Sequence, residues 1–150
     1  MGNLASTYRN QGRWKEAEEL QAGELKICSK VLGQEHPSTL TSMANLASTY
    51  QSQGRWKEAE ELEVRAMETR KRVLGQEHPH TLSSMNNLAF TWKGCGRHVD
   101  ALMLIEECVQ LRTQNLGANH PRTVSSRTAL LEWQMERLET DAPVDKDPGV

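Results

Sequence analysis

The string NLASTY occurs at 3–8 and again at 45–50, NLAFTW follows at 87–92, and the offset is 42 residues both times. No other feature of the 150-residue chain constrains its fold as tightly. GRW at 12–14 and 54–56, with GRH at 96–98, keeps the same interval, as do LGQEHP at 32–37 and 74–79 and LGANHP at 116–121. Residues 3–44 match 45–86 at 27 of 42 positions, and 45–86 match 87–128 at 16 of 42. A supersecondary unit of this length cannot bury its apolar face alone, so tandem copies stack into a solenoid.

Within one unit the apolar period is helical. On a wheel of about 100° per residue, Leu40, Met43, Leu46, Ala47 and Tyr50 share one sector, opposite Thr41, Asn45, Ser48 and Ser52. Pro37 suits the first turn of such a helix, and the SQGR stretch at 52–55, with Gly54, ends it. A second helix is expected over 56–74, with Trp56, Ala59, Leu62, Ala66, Met67, Val73 and Leu74 on one stripe. Glu61 with Arg65 and Glu68 with Arg72 are spaced as i,i+4 pairs on its outer side, each worth only tenths of a kcal/mol. Gly75 stops it.

Charge and composition exclude several classes. Eighteen Lys and Arg against 20 Asp and Glu leave a net charge of -2, with no bulk excess to hold a phosphate backbone, so nucleic acid is not an expected partner. No apolar run reaches the roughly 20 residues that span a bilayer, and no signal peptide opens the chain. A cytoplasmic protein without a membrane partner is expected. Cys28, Cys95 and Cys108 lack metal-site spacing and read as reduced thiols. The opening Met-Gly-x-x-x-Ser fits a myristoylation signal, but MANLASTY at 43–50 shows it to be a slice of the repeat.

The unit is therefore helix, Gly turn, longer helix, short loop. Small residues at Ala47, Ala59 and Ala66, with Tyr50, resemble the tetratricopeptide pattern, in which they let paired helices approach closely. The 42-residue period with LGxxHP between helices resembles the kinesin light chain type, and NLASTYxxQGRWKEAEEL is similar to repeat arrays of fungal proteins, many of them NLR-like receptors. The resemblance implies an all-α, right-handed α-solenoid of tandem antiparallel helix pairs, about seven helices in all. Gly23 within the first long helix costs about 1 kcal/mol relative to Ala, and His98 replaces the tryptophan of the other copies; both units should be softer.

A single solenoid is expected over 1–140, with repeats at 3–44, 45–86 and 87–128 and a capping helix over 122–139 carrying Leu130, Leu131, Trp133, Met135 and Leu138. Residues 141–150, polar and Pro-containing, read as a disordered tail. The first repeat lacks the lead-in of its neighbours, which suggests an array that begins partway through a longer one.

No set of residues calls for catalysis, a cofactor or a metal. His36, His78 and His120 stand one repeat apart, too far to share a zinc whose nitrogen ligands lie at about 2 Å. Glu16, Glu18 and Glu19, with Glu58, Glu60 and Glu61, read as a solvated surface. What remains is binding. Asn3, Asn45 and Asn87 recur in register on the polar faces of the first-type helices, with Ser6 and Ser48 beside them and Arg9, Gln51 and Lys93 one turn on. The family resemblance implies that these helices line a concave groove, where an amide offers donor and acceptor to an extended peptide. The competing reading keeps Asn for hydrogen bonds between repeats. A clamp for acidic C-termini would need more cations than Arg9 and Lys93. Self-association through the open first repeat is the alternative from a different class.

Overall fold

The computed structural model describes residues 2–141, apart from the side chains of residues 2, 3, 6, 9 and 141; of the tail expected over 141–150, Asp141 ends the last helix and the rest lies outside the described residues. Among the described residues seven helices follow one another: α1 (Gly2–Asn10), α2 (Trp14–Val31), α3 (Pro37–Ser52), α4 (Trp56–Leu74), α5 (Pro79–Gly94), α6 (His98–Leu116) and α7 (Pro121–Asp141). Each packs chiefly on the helices before and after it in sequence, and the described residues contain no strand. This is the all-α solenoid that the 42-residue period calls for.

Local chemistry repeats with the same period. His36 Nδ1 accepts from the Ser38 N–H at 3.1 Å, as His78 and His120 do from His80 and Arg122, so each imidazole caps the first-type helix whose first turn holds the proline. The three loop histidines are thus helix caps. Gly54 (φ +74°) lets the chain reverse so that the Arg55 N–H reaches the Tyr50 carbonyl at 2.8 Å, and the Arg55 guanidinium then lies 4.4 Å from the Tyr50 ring centre. Arg13 on Tyr8 and Arg97 on Trp92 copy that stack.

The core forms where the wheel places it. Leu40, Met43, Leu46 and Ala47 of α3 pack on Ala59, Leu62 and Ala66 of α4, and burying one such leucine is worth about 1.5–3 kcal/mol. That outweighs any surface ion pair. The stripe expected on α4 needs two corrections. Val73 and Leu74 are exposed at its C-terminal end, and Glu63 and Arg70 are buried on the packed face instead. The expected Glu61–Arg65 and Glu68–Arg72 pairs also give way: Arg65 donates to Gln34 and Arg72 to Glu35, both in the loop one unit earlier. Arginine reaches across the stack because a neighbouring loop lies alongside each helix end.

Polar side chains bridge successive units. Thr49 donates to Gln21 across α2 and α3, and Thr91 donates to Glu63 at the equivalent place across α4 and α5. Arg70 donates to Ser84 at 2.8 Å and Arg112 to Ser126 at 2.6 Å. Arg55 pairs with Glu18 and Arg97 with Glu60, each one unit back. The last joint, between α6 and α7, differs: Ile105 and Trp133 occupy the Glu63 and Thr91 positions, and an apolar cluster with Ala101, Leu102 and Leu130 replaces the polar bridge.

Candidate binding face

The amide-bearing face is built by α3 and α5. Asn45 is half-buried and Asn87 exposed, and neither side-chain amide has a hydrogen-bond partner among the described residues. The bonds that join units come from other side chains, Thr49, Thr91, Arg70 and Arg112 among them, so the stack does not draw on these two asparagines. Ser48, also half-buried, donates to the Ala44 carbonyl at 3.1 Å within its own helix. Asn3, Ser6 and Arg9 have side chains outside the described residues.

Gln51 and Lys93 point elsewhere. The Gln51 Nε2 donates to Glu63 Oε1 at 3.0 Å and to Thr91, while Lys93 Nζ pairs with Glu136 of α7 at 2.6 Å. Both are engaged in the joint to the next unit. Six positions after the asparagines, they stand about 120° round the helix from the amide row, on the side that the next helix covers.

Phe90 is the residue the amide register misses. It stands three positions after Asn87, on the same helical face, is 42% exposed, and meets the Trp133 ring edge-to-face with centres 5.0 Å apart. The signal lies in the string NLAFTW itself, where phenylalanine occupies the position of Ser6 and Ser48. An amide ladder ending on an aromatic platform offers hydrogen bonds to an extended backbone and an apolar seat for one side chain.

The polar joint beneath this face carries a titratable group. Burial, the largest cause, pushes the Glu63 carboxyl up to about 7, with the nearby Glu60 charge adding to it and the Thr91 hydrogen bond opposing it. A cleft of about 280 Å³ opens beside the last joint, between His98, Leu102, Trp133 and Arg137. Tryptophan fills the matching space at the second joint, where Trp56 lies so close to Gly94 that a Cβ there would stand 2.6 Å from its ring. His98 is the smaller substitute.

Among the described residues, no three His, Cys, Asp or Glu side chains are grouped to hold a metal ion. No described helix is long and apolar enough to cross a membrane. Cys95 is exposed and Cys108 buried, its thiol pushed up chiefly by burial.

Family models described as tetratricopeptide repeat match residues 1–72 and 81–122. No curated protein matches the sequence. Among solved structures, the nearly identical TPR-like repeats of a Podosopora anserina protein described as a kinesin light chain are 32% identical, with a TM-score of 0.85 over 91% of this chain and 64% of that one; a point variant of it agrees equally. BtubC (BKLC) from P. vanneervenii is 25% identical, with a TM-score of 0.75 over 95% of this chain and 58% of its own. The chain spans less than two thirds of the length of each.

Proposed function

The chain belongs to the tetratricopeptide repeat family, whose repeats mediate protein–protein interaction on a non-catalytic scaffold, and from that premise we propose that it binds an extended peptide along α3 and α5. One observation carries the reading: the Asn45 and Asn87 amides recur in register with no partner in the stack. Each can take a peptide N–H and C=O at once, and Phe90 receives a side chain at the end of the row. Asn3 and Ser6 would extend the row by one unit, and Ser48 lies beside it. Gln51 and Lys93 serve the joints, and Arg9 holds the same repeat position in the first unit. The setting we propose is cytoplasmic, within a larger kinesin-light-chain-like or fungal receptor-like protein, with a protein or peptide as partner and no cofactor.

The test is affinity capture from cytosolic extract with the chain beside its Asn45→Ala/Asn87→Ala variant, both checked by thermal melting. A partner held by the first and lost by the second, at equal Tm, is the expected result. If the variant melts well below the parent while retaining the partner, the asparagines serve the stack and the reading fails.

A further inference from the structure

We propose that two copies of this chain pair in parallel through the outward stripe of α7: Val124, Thr128, Leu131, Met135 and Leu138. This surface is separate from the binding face above and does not rest on it.

α7 is apolar on two opposite sides. Its inner side, with Ala129, Leu130 and Trp133, is buried in the core that includes α6. The outer side is bare: Leu131 is 53% exposed, Met135 62% and Leu138 70%, with Val124 and Thr128 exposed as well. Single exposed apolar residues need no explanation. These five, however, follow one another at intervals of four, three, four and three, the spacing of a two-helix seam.

The stripe is not suited to one more helix pair of the kind seen here. Leu131 stands where Ala47 and Ala89, both fully buried, let α4 and α6 approach their partners. Leucine there would hold such a helix off. Met135 stands where Gln51 and Lys93 carry the polar bonds to the following unit. Both changes turn a joint position into a seam position.

The flanking charges select the occupant and its direction. Arg127 and Gln134 border the seam on one side, Glu132 and Glu139 on the other. In a parallel pair each residue of the first row faces the one five positions on in the second copy. Arg127 then meets the partner subunit's Glu132, and Gln134 the partner subunit's Glu139. An antiparallel pair would bring the glutamate rows together. The stripe is about 21 Å long, at the small end for a specific interface, so the dimer is reversible and concentration-dependent.

Sedimentation velocity on the whole chain over about a hundredfold range of concentration tests this by mass action. The average mass should climb toward twice the monomer, while Leu131→Glu/Met135→Glu stays monomeric with unchanged helicity and Tm, because both side chains are exposed in the monomer. A wild-type chain that is monomeric throughout, or a variant that associates equally, overturns the proposal. Direction is read with Leu138→Cys in a Cys95→Ser background under oxidised glutathione. Parallel pairing places the two introduced thiols face to face and gives a cross-linked dimer; a dimer that forms without the cross-link contradicts the parallel arrangement.

Discussion

The first two joints of the stack and the last one solve the same packing problem with different chemistry. At the first, Gln21 receives Thr49; at the second, Glu63 receives Thr91, and charged bridges from Glu18 to Arg55 and from Glu60 to Arg97 close the outer edge. At the last, Ile105 meets Trp133, Leu102 stands in place of the glutamate, and the outer edge is held by Lys93 and Glu136. A buried polar bridge fixes register because a shifted neighbour leaves its groups unpaired. The last joint keeps one such bridge, from Arg112 to Ser126, but at the Glu63 and Thr91 positions apolar area takes over. The hydrophobic anchor at α7 is thus added beside a polar register contact rather than in place of all of them.

The largest effect should come from removing that anchor. Trp133→Ala, at a buried site, should cost about 3–5 kcal/mol and loosen α7 before the rest, seen as an early, smaller transition in calorimetry and as faster amide exchange confined to α7. Uniform loss over all helices would show the joints to be energetically alike.

Next comes the one charged member of the polar pair. The Glu63 carboxyl lies near 7 in the folded chain against an ordinary value of 4.5, so the folded state holds the extra proton. The stability this supplies is complete below about 4.5 and is lost as pH rises through about 7. Glu63→Gln copies Gln21 of the first joint and should raise stability above neutral pH by up to about 3 kcal/mol while flattening the pH dependence. Urea midpoints at acid and alkaline pH read it. An unchanged slope would mean that Glu63 is not the group responsible.

Gly94→Ala sharpens the contrast between the second and last joints. Its new Cβ would strike the Trp56 ring, so a loss of about 1–3 kcal/mol is expected. Glu136, at the corresponding place on α7, lines the open cleft beside His98 and pairs with Lys93, and Glu136→Ala should cost less than Gly94→Ala by thermal melting. The smallest effect is at a cap: His78→Ala should cost about 1 kcal/mol, and His78→Asn should restore most of it by supplying another acceptor to the His80 N–H.

Much of what depends on one unit alone is legible in the sequence, although Val73 and Leu74, placed on the packed stripe by their spacing, are exposed. Leu40, Met43 and Leu46 declare a buried face by their spacing, Gly54 and Gly75 mark turns that need positive φ, and the copied strings fix the number of units. Contacts between units are less visible. Glu63 and Arg70 look solvated because a wheel sorts residues by polarity, whereas their burial follows from Thr91 and Ser84 arriving on the next helix. Gln51 and Lys93, six positions after the asparagines, stand about 120° from them on the wheel, and the lie of α5 and α7 shows what they reach there, the joints. Phe90 escapes notice because it replaces a serine in a row defined by its polar members.

The most direct measurement is an amide chemical-shift titration of the labelled chain with peptides selected on it from a random display library. The account predicts that the moving signals cluster around Asn45, Ser48, Asn87 and Phe90 and vanish in the Asn45→Ala/Asn87→Ala variant. Shifts confined to other helices, or full binding by the variant, would contradict it.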